Sequence, residues 1–377
     1  MNVKEGKVKV PFSTLDRMND EFREEMTEAF LRVYDSGMFI RSTECSKFES
    51  EFASFCGANH SVGVASGLDA LIVSLRALRI GPGDDVVLPS NTFIATALAV
   101  SAVGANVVLV DPDETTFNMT AEGFLAALTP HTKAVIPVHL YGQPAEIEQI
   151  ATEASKRGII LIEDCAQAHG ALYRGRHVGT FGAVGCFSFY PGKNMGALGD
   201  GGGVITNDEH LAESIREISN YGSRVRYHHE KKGLNSRLDE MQAAFLRVKL
   251  RHLVEINDQR RLVAQRYCAR IVNPLVSLPV TGADRSHVWH IFAVRCEDRG
   301  GLRNHLRSHG IEAACHYPVT IADQEAYSGE RGITATPMAR RLASTELSLP
   351  LFYGMTEEEA DWVIECVNSY RGHGHEA

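Results

Sequence analysis

The chain has 377 residues, 44% of them hydrophobic and 23% charged, which is typical of a globular protein with a sizeable core. Its net charge of −9 and its lack of a long Lys/Arg-rich run argue against a nucleic-acid partner. The eight cysteines contain no Cys-x-x-Cys pair, which argues against zinc sites and disulfides and favours reduced thiols in the cytoplasm.

The N-terminal segment has a helical pattern. The first ten residues carry charges and no apolar run, so no signal peptide is predicted. Amphipathic spacing over residues 18–34 predicts a helix, a loop is predicted over 36–44, and helical spacing resumes over 47–55.

From residue 60 onward, strand and helix patterns alternate along the chain. Strands are predicted over 61–65, 85–89, 106–110, 134–140, 159–162, 186–190 and 203–207. Helical spacing is predicted between most of these strands, opening near residues 66, 91, 120 and 145. This rhythm predicts an α/β fold with a mostly parallel sheet and helices on both of its faces.

One uncharged run needs a separate interpretation. Residues 93–110 include 18 residues without a charge, near the lower limit for a membrane span. Gly104 and Asn106 interrupt the run in a turn-like pattern. We therefore predict a buried helix followed by a buried strand, not a membrane helix.

The pair Ser66–Gly67 stands where a predicted strand meets a predicted helix. Ser66 is a natural N-cap, and capping is the ordinary role for such a pair. The alternative is a phosphate site, because the free N–H groups and the dipole of a helix N-terminus attract anions.

Two further stretches carry the candidate chemistry. Asp164 ends a hydrophobic strand, at the edge where open α/β sheets bind their ligands. Lys193 follows an aromatic strand and the turn Pro191–Gly192, and a desolvated lysine there can act as an amine nucleophile. A pyridoxal phosphate site needs such a pair, a lysine to hold the aldehyde and an acid to keep the pyridine nitrogen protonated.

These stretches also carry a resemblance. Asp164-Cys-Ala-Gln-Ala-His169 together with Ser188-Phe-Tyr-Pro-Gly-Lys-Asn-Met-Gly-Ala-Leu-Gly-Asp-Gly-Gly202 resembles the DegT/DnrJ/EryC1/StrS family of nucleotide-sugar aminotransferases. The resemblance covers residues 11 to 370. It implies the fold type I of pyridoxal-phosphate enzymes, which is aspartate-aminotransferase-like. That fold has a mostly parallel seven-stranded sheet between helices and a smaller C-terminal α+β domain.

The resemblance assigns roles to individual residues. It implies that Lys193 holds pyridoxal 5′-phosphate as an internal imine, with pyridoxamine 5′-phosphate as the intermediate form, and that Asp164 binds the ring nitrogen. The implied cofactor-binding residues are Ser66, Gly67, Leu68, Phe93, Asp164, Gln167, Ser188, Lys193 and Asn235. The implied substrate-binding residues are Phe39, Tyr190, Arg224, His316 and Tyr317.

The chain departs from the family pattern at two positions. Many relatives carry Thr where this chain has Leu68, which leaves the backbone and Ser188 to bind phosphate. Many relatives also continue the His316-Tyr-Pro motif with a second Pro and a His, whereas this chain has Thr320-Ile-Ala322.

The resemblance further implies a substrate and an assembly. The Lys193 motif is similar to the branch that aminates C3 of dTDP-linked 3-keto-6-deoxyhexoses with L-glutamate, and amination at C4 is the alternative within the family. A sugar dehydratase of the same scaffold would carry His in place of Lys193. A non-catalytic regulatory or scaffold protein is the alternative from another class. Asn235 is expected to serve the neighbouring subunit's site, so a homodimer is predicted.

Three regions are predicted along the chain. Residues 1–57 form an N-terminal arm with helices near the active site, residues 58–250 a large cofactor-binding α/β domain, and residues 251–377 a small α+β domain. A long helix is predicted over 237–271, and in the small domain strands over 289–295 and 311–317 and helices over 299–309 and 356–370.

Overall fold

The computed structural model describes residues 10–330, 333 and 336–372. The helices are α1 (Asp16–Glu21), α2 (Arg23–Ser36), α3 (Thr43–Cys56), α4 (Gly67–Ala77), α5 (Ala95–Ala102), α6 (Ala121–Ala126), α7 (Ile147–Lys156), α8 (Glu209–Ile218), α9 (Glu240–Arg270), α10 (Arg299–Ser308), α11 (Pro337–Thr345) and α12 (Glu357–Ser369). The strands are β1 (His60–Val64), β2 (Asp85–Pro89), β3 (Asn106–Val110), β4 (Thr132–Val135), β5 (Ile160–Asp164), β6 (Leu172–Tyr173), β7 (Arg176–His177), β8 (Val184–Ser188), β9 (Gly202–Thr206), β10 (Phe292–Arg295) and β11 (Glu346–Leu349). Residues 1–9, to which most of the signal-peptide prediction refers, lie outside the described residues.

A seven-stranded sheet forms the centre of the molecule. Its order is β1-β9-β8-β5-β4-β2-β3. The strands from β8 to β3 run parallel, while β9 is antiparallel to both of its neighbours. The predicted mostly parallel, seven-stranded sheet is therefore confirmed.

Helices cover both faces of this sheet, as predicted. Val86 and Leu88 of β2 pack on the face that α4, α5 and α8 cover, whereas Val87 packs on the face that α6 and α7 cover. Successive side chains of a strand point to opposite faces, so a run of apolar residues serves two cores. A third cluster, with Phe48 of α3 and Leu246 of α9, extends the second face beside β8 and β9.

A separate core lies beyond the sheet, toward the C-terminus. The antiparallel pair β10–β11, the helices α10 and α12 and the end of α9 share one hydrophobic cluster. The helix α9 runs from Glu240 to Arg270 and so crosses position 250. The division into three regions stays a prediction.

The uncharged run over 93–110 contains the buried helix α5 and the buried strand β3, which confirms that prediction. Among the described residues, no helix is both long and apolar enough to cross a membrane.

The strand predicted over 311–317 is wrong. This segment forms only isolated bridges, from Ile311 to Val10 and from Ala314 to Ser348. Beyond Ala314, side chains bind the backbone instead, since the N–H of His316 donates to Glu346 and the carbonyl of His316 accepts from Tyr141. The segment therefore pairs with β11 at Ala314 alone and forms no continuous strand beside it.

Candidate active site

The site is built where two neighbouring strands end. β5 and β8 are parallel neighbours, and Asp164, the last residue of β5, pairs with Cys186 of β8. β8 ends at Ser188, and the turn that follows brings the N–H of Lys193 within 2.9 Å of the carbonyl oxygen of Tyr190. Asp164 and Lys193 therefore share the carboxyl edge of the sheet, as the sequence predicts.

The carboxylate of Asp164 is buried and only partly satisfied. Its Oδ2 accepts a hydrogen bond from the hydroxyl of Thr96 at 2.9 Å, and its Oδ1 accepts from the backbone N–H of Ala166 at 3.1 Å. Burial raises the pKa of Asp164 above its ordinary value, against the opposing effect of those two donors and of the positive charge of Lys193. Such a group is stabilised by a cation placed against it.

Lys193 carries a desolvated amine. Among the described residues its ammonium has no hydrogen-bond or ion-pair partner at contact distance, although Asp164 acts on it electrostatically. Burial lowers the pKa of Lys193 to about 8, and the nearby Asp164 partly offsets this decrease. A substantial fraction of the amine is therefore unprotonated in mildly alkaline solution, which is the form that attacks a carbonyl carbon.

The N-terminus of α4 packs closely on the end of β8. A Cβ atom on Gly67 would lie 2.5 Å from the Cβ of Ser188, so only glycine fits there. Ser66 caps the helix, its hydroxyl accepting from the N–H of Asp69 at 3.1 Å. The first N–H groups of α4 have no partner within the helix, and the hydroxyl of Ser188 lies next to them. Leu68 packs against the core of the sheet.

Aromatic and amide groups near the site form a cluster of their own. The ring of Phe93, 52% exposed, lies 5.3 Å from the ring of Tyr317. The side-chain amide of Gln167 donates to the hydroxyl of Tyr317 at 3.1 Å, and its oxygen accepts from the N–H of Tyr141 at 2.7 Å. His316 lies beside Tyr317, with ring centroids 5.5 Å apart. These contacts link Phe93, Gln167, His316 and Tyr317.

The side chains of four predicted residues do not contact this cluster. They are Phe39, Tyr190, Arg224 and Asn235. Phe39 and Tyr190 are exposed, although the backbone of Tyr190 contacts Lys193. Arg224 pairs instead with Glu217 and Glu213 of α8, at 3.4 and 3.7 Å.

Asn235 is also exposed, but its neighbour Ser236 reaches the N-terminus of α4. The hydroxyl of Ser236 accepts from the N–H of Ala65 at 3.2 Å and donates to Asp69 at 2.7 Å. The segment carrying Asn235 is therefore attached to the turn before α4.

Two residues of the site, Thr96 and His290, gave no usable signal in the sequence. Thr96 stands in an apolar helix, and nothing in that pattern marks it as the donor to Asp164. His290 donates to Asn194 at 3.2 Å, and burial together with the charge of Lys193 holds its pKa well below the ordinary value. His169, the last residue of the Asp164 motif, is buried against Phe187 and Phe189, and burial lowers its pKa to about 3.

A second group of polar side chains lies behind Asp164. His139, Glu163 and Cys165 are buried with their polar atoms close together. Glu163 accepts from His139 and from the N–H groups of Gly179, Phe181 and Gly182, while the other ring nitrogen of His139 accepts from Ala145. The carboxylate and the imidazole are thus saturated, and their geometry stabilises the end of β5 and the loop at 179–182.

Comparison with known proteins identifies relatives of the whole chain. Residues 20–368 match the DegT/DnrJ/EryC1/StrS aminotransferase family. The chain is 47% identical to dTDP-3-amino-3,4,6-trideoxy-alpha-D-glucose transaminase of Streptomyces venezuelae, over 96% of each chain. It is 46% identical to dTDP-3-amino-3,6-dideoxy-alpha-D-galactopyranose transaminase of Aneurinibacillus thermoaerophilus, over 96% of this chain and 99% of the other.

The fold is likewise that of a solved structure. The crystal structure of S. venezuelae DesV in complex with a ketimine intermediate superimposes with a TM-score of 0.94 at 47% identity. The match covers 96% of this chain and 98% of that chain.

Proposed function

The chain belongs to the DegT/DnrJ/EryC1/StrS aminotransferase family, and from this premise we propose that it transfers the amino group of L-glutamate to C3 of a dTDP-linked 3-keto-6-deoxyhexose. The enzyme is a pyridoxal-phosphate-dependent aminotransferase, and the product would be a dTDP-3-amino-3,6-dideoxyhexose. Two relatives that match 96% of the chain are named as transaminases of dTDP-linked 3-amino sugars, which supports both the nucleotide and the position.

One observation carries the assignment of the chemistry. A buried carboxylate, Asp164, and a desolvated lysine, Lys193, lie at the same edge of the sheet. From the described residues the carboxylate accepts only two hydrogen bonds, and its pKa is raised, so a protonated pyridine nitrogen would supply the cation that it lacks. The unpartnered amine of Lys193 fits an aldehyde carbon.

The remaining groups fit the rest of pyridoxal phosphate. The N–H groups of Gly67 and Leu68 and the hydroxyl of Ser188 would hold the phosphate, with Ser66 fixing the helix N-terminus. Phe93 would cover one face of the ring with its exposed aromatic surface. Gln167 would donate to the ring hydroxyl in place of Tyr317, to which it donates now.

The protein's own groups then perform the proton chemistry. When bound, pyridoxal phosphate supplies an electron-withdrawing ring that acidifies the Cα proton of the amino donor. Lys193 would accept that proton from Cα as a base and, as an acid, donate it to the former aldehyde carbon of the cofactor. Asp164 keeps its negative charge against the ring nitrogen throughout, so that the proton there is retained.

We propose further that the enzyme works as a homodimer in the cytoplasm. A run of large apolar side chains on α2 and in the segment after it is exposed: Phe30, Leu31, Tyr34, Met38, Phe39 and Ile40. Such a concentration of exposed apolar surface is typical of an interface. Asn235 would reach the partner's phosphate site, and Phe39, Tyr190 and Arg224 would contact the sugar nucleotide. The cytoplasmic location is supported by eight cysteines without a disulfide.

The alternatives differ in testable ways. Amination at C4 would use the same groups on a different ketone, and a scaffold protein would bind no cofactor. Absorbance spectra of purified protein supplied with pyridoxal phosphate, before and after addition of L-glutamate, test the first half of the reaction. We expect a visible band that glutamate converts to that of pyridoxamine phosphate, and no lysine-bound band in Lys193→Ala. Absence of any cofactor band in the unmodified protein would favour the scaffold.

A further inference from the structure

A chain of hydrogen bonds connects a buried acid to one residue of the site. Glu346 and Ser348 of β11 are 1% and 0% exposed. The hydroxyl of Ser348 donates to Oε1 of Glu346, and its oxygen lies 2.8 Å from Nδ1 of His316. The backbone N–H of His316 donates to Oε2 of the same carboxylate at 2.7 Å. Glu346 thus holds His316 both directly and through Ser348.

The polarity of this chain determines which ring nitrogen carries the proton. A serine hydroxyl has a single proton to donate. When Glu346 is ionised, Ser348 donates this proton to the carboxylate, so the oxygen of Ser348 must accept from Nδ1–H of His316. Burial and the charge of Lys193 lower the pKa of His316 to about 4, so the ring is neutral near pH 7. The proton therefore lies on Nδ1, and Nε2 is an acceptor.

The rest of His316 is also held in place. Its carbonyl oxygen accepts from the hydroxyl of Tyr141, and Phe12 stacks on its ring with the centroids 5.5 Å apart. Nε2 makes no hydrogen bond with any residue that the structure describes. The next residue, Tyr317, lies against the site, with its ring 5.3 Å from that of Phe93 and its hydroxyl accepting from Gln167 at 3.1 Å. A fixed acceptor without a partner, close to the site, suits a ligand hydroxyl.

This inference rests on the proposed function. We propose that Glu346 and Ser348 are positioning residues, which hold His316 with Nε2 as the acceptor for a hydroxyl group of the keto-sugar. The two residues do not touch the substrate themselves. They determine the hydrogen-bond polarity of the residue that does.

A single substitution reverses this polarity without changing the shape. In Glu346→Gln, the backbone N–H of His316 requires the amide oxygen, which turns the amide NH₂ toward Ser348. Ser348 must then donate its proton to Nδ1 of His316, which moves the ring proton to Nε2. Nε2 of His316, which accepted a hydrogen bond from the sugar hydroxyl, becomes a donor.

The test uses the holoenzyme at pH 8.5, where the Glu346 carboxyl, with a pKa of about 7 raised by burial, is ionised. ¹⁵N NMR of histidine-labelled protein should report protonated Nδ1 in the unmodified enzyme and protonated Nε2 in Glu346→Gln. The KM for the keto-sugar should rise about tenfold or more in Glu346→Gln, as for a lost specific hydrogen bond. The half-reaction with L-glutamate should change by less than about twofold.

Two controls separate positioning from general structure. Ser344→Ala, an exposed serine of the neighbouring α11, should leave KM and the NMR signals unchanged. In a His316→Ala background, Glu346→Gln should have no further effect on KM, because both act through one contact.

Either of two results would overturn the proposal. Protonated Nε2 in the unmodified enzyme would contradict the positioning, and an unchanged KM despite the reversed tautomer would contradict the acceptor role. If the unmodified enzyme aminates no keto-sugar, the proposed function fails instead, and the NMR result still decides the positioning.

Discussion

At the scale of the residue, the account depends on how burial changes two charged groups. Burial raises the pKa of Asp164 and lowers that of Lys193, and each group partly offsets the shift of the other. A cation placed against Asp164 would stabilise its buried negative charge. The amine of Lys193 would then be available to react. The pair therefore favours a bound pyridinium ring.

The first prediction concerns Asp164→Asn, which removes the charge and keeps the shape. The cofactor should still bind, but kcat should fall by about 10²–10³-fold, because the ring nitrogen loses the group that keeps it protonated. Steady-state kinetics measure kcat, and the cofactor content of each protein is determined in parallel. Glu358→Gln, the same loss of charge on the exposed first turn of α12, should retain full activity. Full activity in Asp164→Asn would refute the role of this carboxylate.

The second prediction concerns pH. Because burial lowers the pKa of Lys193 to about 8, the rate at which the apoenzyme captures pyridoxal phosphate should rise with pH and reach half its maximum near that value. The midpoint should move lower in Asp164→Asn, since the charge of Asp164 raises the pKa of Lys193. Stopped-flow absorbance measures both rates, with N-acetyl-lysine methylamide as the solvated reference. A midpoint as high as that of the reference would contradict the desolvation.

The roles of single residues could be predicted only where a chemically reactive side chain stands at a recognisable strand end. Asp164 and Lys193 stand at strand ends with flanks that the sequence displays, and the structure brings them together. Thr96 and His290 reach the site through tertiary packing, for which the sequence gives no sign. Glu346 and Ser348 look like core strand residues until the hydrogen bonds to His316 are seen.

At the scale of the element, the contact between α4 and the end of β8 forms the proposed phosphate site. Gly67 allows these backbones to approach, and Gly202 allows the same from the other side, since its Cβ would lie 2.2 Å from the carbonyl oxygen of Ser66. The helix N-terminus is thus brought against Ser188 by two glycines.

The third prediction follows from this contact. Gly67→Ala should destabilise the holoenzyme by about 1–3 kcal/mol, because the added methyl overlaps Ser188 in a packed site. It should also weaken phosphate binding. Denaturant unfolding and titration with pyridoxal phosphate measure the two effects.

A matched glycine provides the control for this prediction. Gly300 lies in the first turn of α10, where an added Cβ meets nothing within 4 Å. Gly300→Ala should leave cofactor affinity unchanged and stabilise the helix by about 0.5–1 kcal/mol. Equal effects of the two substitutions would show that the fit at Ser188 is unimportant.

Elements were predictable where a local pattern decides them. β2 and β3 have the predicted bounds, because short apolar runs between turn residues leave one interpretation. The segment at 311–317 also has an apolar run, but Glu346 and Tyr141 bind its backbone, and these partners are distant in sequence. Non-local side-chain contacts of this kind override strand propensity.

At the scale of the whole molecule, the sheet order places β5 and β8 side by side although β6 and β7 lie between them in sequence. The alternating pattern predicted a parallel sheet, but adjacency depends on crossovers that no local pattern encodes. The exposed apolar surface of α2 and the following segment supports the proposed contact with a second copy of the chain.

The fourth prediction tests the shared site in the dimer. Lys193→Ala and Asn235→Asp should each abolish or greatly reduce activity, the second by placing a negative charge near the partner's phosphate. After unfolding and refolding together, mixed dimers should contain one intact site, and the mixture should regain about a quarter of normal activity. Activity measurements with sedimentation at several concentrations give the result. A fully active monomer, or no recovery in the mixture despite mixed dimers, would contradict the shared site.

The most direct test of the central claim is product analysis after incubation with L-glutamate and either a dTDP-3-keto- or a dTDP-4-keto-6-deoxyhexose. We predict that NMR of the product shows nitrogen at C3 from the 3-keto compound, no turnover of the 4-keto compound, and no product with Lys193→Ala. Turnover of the 4-keto compound alone would contradict the assignment.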